Sequence, residues 1–346
     1  MEFQFKQDVV ATLIQELMAI DSPSGYTQNA IAYIENKANA YQLPFMRTHK
    51  GNGIIYMPGR NAKTTIGVCA HVDTLGLMVR SIKSNGRICF TKVGGPILPS
   101  LDSEWCKVYT REGKVYSGTI YSTSPAAHVF KDAASKERTE DTMEVILDEK
   151  VKSKEEVEKL GIQTGDYICF DSKTTITENG FIKSRFLDDK LSVAIILGII
   201  DFMVENHIQP ENNVKFMFST YEEVGHGMAY IPEDITELLC VDMGCIGQDL
   251  NCSEYDVSIC AKDSSGPYDY QMTGDLIAMA KKHQLQYAVD IYPYYGSDAS
   301  AALRAGHDIR AALIGPGVFA SHGYERSTME AVDQSMQLVY YYLTNQ

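Results

Sequence analysis

Basic charge is scarce in this 346-residue chain: Lys and Arg number 31 against 45 Asp and Glu, giving a formal net charge of −14. No basic run could follow a phosphate backbone, which excludes nucleic acid as a partner. Long apolar runs are missing too. The longest, Val193 to Ile200, falls far short of a bilayer span. The N-terminal stretch interleaves Glu2, Lys6, Asp8 and Glu16 with its apolar residues, so no secretory core is expected. These absences predict a soluble, cytoplasmic protein with no membrane partner. The eight cysteines include no C-x-x-C pair. Cys69 and Cys240 sit inside apolar runs, which points to buried free thiols. Spacings of 5, 7 and 8 between Cys240, Cys245, Cys252 and Cys260 do not fit the paired turns of a zinc ribbon.

What is present is a chain 45% hydrophobic and 22% charged, which rules out disorder and is long enough for two to three domains. Val9, Leu13, Leu17 and Ile20 recur at helical spacing over residues 5–20, followed by a turn at Asp21-Ser22-Pro23-Ser24-Gly25 and a second helix over 27–41. Ile54 to Met57 and Thr64 to Ala70 read as strands, the latter continuous enough to be covered on both faces. Between 80 and 183 the texture changes to short alternating strands joined at Ser84-Asn85-Gly86, Arg111-Glu112-Gly113 and Glu178-Asn179-Gly180. One helix interrupts them, with Ser153 as N-cap, Glu156 in the capping-box position and Gly161 as stop. After 184 helices and strands alternate: a helix over 189–206, strands at Val214–Thr220, Leu238–Met243 and Val257–Ala261, a helix over 271–283, a strand at Gln286–Tyr292, a helix at Asp298–Ala305, a strand at Ile309–Leu313 and a last helix from 328. This rhythm predicts an α/β fold with a mixed, largely parallel sheet flanked by helices. Residues 1–79 and 184–346 form the main domain and residues 80–183 a small inserted β-rich domain.

Ligands in such sheets bind at the carboxyl ends of the strands. Five segments place metal-binding side chains there or at a strand-to-helix junction: His71-Val72-Asp73, Leu187-Asp188-Asp189, Glu222-Glu223, Asp242, and Ser321-His322-Gly323 after a Gly-Pro-Gly turn. Singly, each has an ordinary explanation. A histidine can be structural, paired acids can be solvated, and an aspartate before a helix can be a cap. Together, two histidines and several carboxylates make up the ligand inventory of a pair of divalent cations. Adjacent glutamates after a strand also allow a division of labour, one binding metal while the other stays free to move a proton.

The segments Ala70-His71-Val72-Asp73-Thr74-Leu75-Gly76, Arg185-Phe186-Leu187-Asp188-Asp189-Lys190, Glu222-Glu223-Val224-Gly225, Val241-Asp242-Met243-Gly244 and Ser321-His322-Gly323-Tyr324-Glu325-Arg326 follow one another in the order seen in M42-family metallo-aminopeptidases. These are the glutamyl or tetrahedral aminopeptidase type, sometimes labelled endoglucanase-like, and the resemblance spans nearly the whole chain. It implies a zinc-exopeptidase-like fold with a PDZ-like or barrel insert serving oligomerisation and substrate access. It implies a dinuclear enzyme that removes N-terminal residues from short peptides. Asp188 would bridge two divalent metal ions, Zn2+ in the first place with Co2+ or Mn2+ as alternatives, and His71, Asp242, Glu223 and His322 would complete the ligands. A cis peptide is expected at Asp188-Asp189. Asp73 would accept the free ring N–H of His71, and Glu222 would be the general base. The assembly would be a homo-oligomer, by resemblance a dodecamer. Two residues depart from the family pattern: Lys190 where many relatives have Arg, and Tyr221 before the glutamates where a more polar residue is usual.

Other readings are weaker. Gly315-Pro316-Gly317-Val318-Phe319-Ala320 has the spacing of a dinucleotide-binding turn, but too little chain follows it to complete the βαβ unit. No G-x-S-x-G elbow, G-x-x-x-x-G-K-[ST] loop or H-E-x-x-H helix occurs. A metal-dependent deacylase or dipeptidase on the same fold is the neighbouring alternative. A glycan hydrolase using paired carboxylates is the distant one, and it leaves His71 and His322 without work. A scaffold with a degenerate site is disfavoured because all five presumed ligands are present.

Overall fold

The apolar run around Val68 closes an eleven-residue strand, Asn61–His71, whose last seven residues are buried, as a strand covered on both faces requires. In the computed structural model, which describes residues 3–345, this strand belongs to one of two compact units: Met1–Asp73 with Lys173–Gln346, and Thr74–Ser172.

The larger unit is built on a mixed sheet. Its order is Phe45–Arg47, Gly53–Met57, Asn212–Ser219, Asn61–His71, Ile235–Val241, Arg310–Val318, Val257–Lys262 and Tyr287–Ile291, with Gly244–Cys245 pairing on Arg310–Val318. The four central strands, from Asn212–Ser219 to Arg310–Val318, run parallel, so their carboxyl ends open on one side. Antiparallel pairs flank them, Gly53–Met57 against Asn212–Ser219 and Val257–Lys262 against Arg310–Val318.

Helix Leu187–Glu205 is apolar all round, and sixteen of its residues are buried. Such a helix must be enclosed. Gln7–Met18 and Met329–Thr344 pack along it, and Asn61–His71 lies beneath. No helix among the described residues is long and apolar enough to cross a membrane. All eight cysteines are free thiols, seven of them buried.

The Gly-Pro-Gly segment, expected as a turn, is instead strand: Arg310–Val318 runs straight through it. The glycines are there for close approach. A Cβ on Gly315 would stand 1.9 Å from the Asp242 carbonyl oxygen, and one on Gly317 would stand 2.0 Å from that of Ser253. Bare backbone lets the neighbouring chain pass.

The smaller unit is a closed six-stranded barrel in the order Gly76–Ile82, Ile88–Val93, Met143–Leu147, Val115–Ser122, Glu104–Tyr109 and Tyr167–Phe170, the last pairing back on the first. Inward positions alternate with outward ones. In Glu104–Tyr109, Cys106 and Val108 are buried while Trp105 and Lys107 are exposed. The turns expected at Gly86 and Gly113 form, as does the helix Lys154–Lys159, with the Ser153 side chain accepting from the Glu156 amide. The barrel unit starts and stops earlier than 80–183. Thr175–Ile176 and Phe181–Ser184 leave the insert to make a three-stranded sheet with Glu325–Thr328 in the larger unit. Their short alternating pattern is the same in either sheet, so composition could not assign them.

Candidate metal centre

The four parallel strands each deliver one segment to the same end of the sheet. His71 is the last residue of Asn61–His71. Asn212–Ser219 runs on through Thr220 and Tyr221 into a single 3-10 turn, Glu222–Val224, stopped by Gly225 at φ 85°. Asp242 follows Ile235–Val241 directly, and His322 comes four residues after Val318. Asp188 and Asp189 arrive from the first turn of Leu187–Glu205. That turn is not helical at these two residues, and the peptide between them is cis.

His71 is fully buried and points Nε2 into the cluster, 3.1 Å from Asp188 Oδ1 and 3.7 Å from Glu222 Oε2. Its other nitrogen, Nδ1, lies 2.8 Å from the backbone carbonyl of Asp73 and 3.6 Å from the carboxylate. Asp73 is thus placed to accept the ring N–H through its backbone carbonyl and leave the Nε2 lone pair facing inward. The Asp73 carboxylate is used elsewhere. It accepts from Ser24 Oγ at 2.5 Å and from the amides of Glu222 and Glu223 at 3.1 and 3.2 Å, clamping the turn that carries both glutamates. His322 Nε2 stands 3.6 Å from Asp188 Oδ2 and 3.5 Å from Glu223 Oε2, on the more exposed side. Two triads have ligand atoms all within 4.8 Å of one another, His71-Asp188-Glu223 and His71-Asp189-Asp242.

Several contributors were not anticipated. Asp189, part of the Leu187-Asp188-Asp189 segment but given no ligand role of its own, is fully buried within the second triad and accepts from the His71 amide at 3.2 Å. Ser24 belongs to a turn recognised only as a helix stop. Asp298, buried, is held by Ser219 Oγ and by the Met228 amide at 2.9 Å. Ser321 donates to Asp188 Oδ2 at 3.0 Å. The two departures also have local explanations. Lys190 is fully buried and donates to the carbonyls of Leu17 and Ile20, at the C-terminal end of Gln7–Met18, where a cation is favourable. Tyr221 stacks on His226 with ring centroids 4.9 Å apart, bracing the glutamate turn.

The model of the M42 glutamyl aminopeptidase family matches residues 51–338. The chain belongs to the M42 family. Among its relatives is a Bacillus subtilis protein named "Putative aminopeptidase YhfE", 46% identical over 332 residues and matched over 96% of each chain. A TET aminopeptidase from a marine sediment thaumarchaeon superposes with a TM-score of 0.87 at 20% identity, covering 97% of this chain and 96% of that one. The TET1 peptidase of Pyrococcus horikoshii, described as able to assemble into a tetrahedron or a large octahedral shell, gives 0.84 at 20% identity, covering 97% and 100%. The M42 chain is therefore a hydrolase acting on peptide bonds, and the α/β sheet with its barrel insert is the family's architecture.

Electrostatics show what this M42 site is built to hold. Burial pushes the carboxyls of Asp189, Glu222 and Glu223 well above the usual carboxylate range, with neighbouring acids adding to it, and pushes Asp242 up to about 7. Asp298 rises to about 6, again chiefly through burial. Asp188 is the exception: burial opposes its charge, but the hydrogen bond and charge of His71, with His322 beyond, bring it below its ordinary value. For His71 burial favours the neutral ring, yet Asp188 and the surrounding acids outweigh it and raise the pKa. Among the described residues no lysine or arginine pairs with Asp188, Asp189, Glu222, Glu223 or Asp242, and the basic side chains within ion-pair distance of the cluster are the two imidazoles. Asp189 Oδ1 and Glu223 Oε1 are buried without any hydrogen-bond partner. Nitrogen and carboxylate donors in this number, with unspent oxygen lone pairs and no lysine or arginine to match them, fit divalent metal ions.

Proposed function

We propose that the chain is a dinuclear metal-dependent aminopeptidase that removes N-terminal residues from short peptides. His71, Asp188, Glu223, Asp242 and His322 would hold the two ions, with Asp188 shared between them because its oxygens face different partners, His71 on one side and His322 and Ser321 on the other. Zinc suits the mixed imidazole and carboxylate set, and cobalt or manganese could replace it. Such ions, when bound, polarise a scissile carbonyl and lower the pKa of a water molecule.

The remaining steps belong to the protein. Glu222, outside both triads and with Oε2 facing His71, takes the proton of the attacking water and passes it to the leaving amine. Asp73, gripping the amides of Glu222 and Glu223, keeps the proton carrier and the ligand at fixed spacing. The observation that carries this reading is the pair of orphaned buried oxygens on Asp189 and Glu223, at the point where two histidines and five acids converge.

The TET1 relative supports a closed homo-oligomer. Tetrahedral symmetry has twelve equivalent positions, so we assign a dodecamer, with the barrel unit serving assembly and access. Eight free thiols support a reducing, cytoplasmic setting. The test is a panel of aminoacyl chromogenic amides offered to the metal-reconstituted protein, beside their N-acetylated forms and a set of glycans. Turnover confined to free-amine substrates is expected. Equal chromophore release from the acetylated substrates would show that no free α-amine is needed and overturn the aminopeptidase reading, acetate release without colour would make the protein a deacylase, and a fully loaded protein that cleaves only glycans would overturn the peptidase mechanism.

A further inference from the structure

Asp188 and His322 come from segments far apart in sequence, yet the same carboxylate meets the backbone of both. Glu325 is 2% exposed. Its Oε2 accepts from the Asp188 amide at 3.1 Å and its Oε1 from the His322 amide at 3.0 Å. Glu325 opens the strand Glu325–Thr328, where it is paired in register with Ser184, the last residue of Phe181–Ser184. From that cross-strand pair one chain runs forward through Arg185 to Asp188, and the other runs back to His322. Both connections are conformationally demanding. Phe186, Ala320 and His322 all have positive φ, at 68°, 60° and 66°, a region disfavoured for residues with a Cβ unless surrounding contacts hold them there.

We propose that Glu325 is a positioning residue that sets the spacing between Asp188 and His322, and through it the affinity of the ion those two side chains share. The inference rests on the metallopeptidase reading above. A carboxylate accepts at both oxygens and so can satisfy two converging N–H groups at once. The amide of glutamine cannot: one end still accepts, while the other offers N–H to a backbone N–H.

The decisive comparison is zinc titration of the wild type and Glu325→Gln, with bound metal counted by elemental analysis. Wild type taking up two ions is the condition for the reading itself, and uptake of none would sink that reading before Glu325 is tested. Given two, the variant should keep one ion near wild-type affinity and bind the other about 10–100-fold more weakly. Its kcat should fall with KM little changed. Two ions bound with wild-type affinities would overturn the proposal. Amide exchange on the metal-free wild type gives a second reading that does not depend on the variant folding. The amides of Asp188 and His322 should both be protected, and exchange of either at the rate of an open loop would also overturn it.

Discussion

Both units of the chain bury acidic side chains, and they treat them in opposite ways. In the barrel, Glu144 is 5% exposed, and Lys83 and Arg87 each close on one of its oxygens at 2.7 Å. At the carboxyl ends of the main sheet, Asp188, Asp189, Glu222, Glu223 and Asp242 are gathered with no lysine or arginine between them among the described residues, and two of their oxygens have no partner. A buried charge matched by protein cations is a closed structural unit. One left unmatched costs several kcal/mol per ion if it stays charged, so it is retained where something else will compensate it. Burial of acids alone is therefore a poor guide to function, and the missing counter-charge is the better one.

The sharpest way to break the contrast is to change one acid on each side of the proposed division between ligands and proton carrier. Glu222→Gln should leave metal content at the wild-type value and lower kcat by about 10²–10⁴, as loss of a general base does. Elemental analysis together with steady-state kinetics checks both halves. A Glu222→Gln protein that loses metal would make Glu222 a ligand. Adding zinc to the metal-free protein should raise its unfolding free energy by about 2.7 kcal/mol for each ion present at a hundredfold excess over its Kd. Asp188→Ala should abolish most of that gain, read as the difference in Tm with and without metal.

Much of this contrast is legible in sequence, and the legible part follows from strand periodicity. Apolar runs at Val68, Phe216 and Leu239 mark strands whose ends carry His71, Glu222 with Glu223, and Asp242, and in α/β folds the chemistry lies at those ends. What stays hidden are contacts from side chain to backbone across long stretches of chain. Glu325 to Asp188 spans 137 residues, and Ser24 to Asp73 spans 49. No local spacing encodes either. Asp73 shows the limit within a single residue: its nearness to His71 is plain from the motif, but which of its oxygens faces the ring depends on amides 149 and 150 residues away. The Gly-Pro-Gly segment fails for the same reason, since its glycines answer to the Asp242 and Ser253 backbones and not to a turn.

The smallest effect belongs to the barrel, and it is the control that gives the comparison its meaning. Glu144→Ala removes an acid as buried as those of the metal centre, so a view in which burial alone confers importance expects a large loss. The side chains of its partners are more than a third exposed, at 36% for Lys83 and 37% for Arg87. Freed from Glu144, both ammonium and guanidinium recover water instead of being stranded. The loss should therefore be about 1 kcal/mol, in the range of solvent-screened ion pairs. Denaturant unfolding of the metal-free protein would measure it, while kcat and zinc stoichiometry stay at wild-type values. A Glu144→Ala protein short of metal would show that the barrel acid also serves the metal cluster, and the two kinds of buried acid could no longer be told apart by their counter-charges.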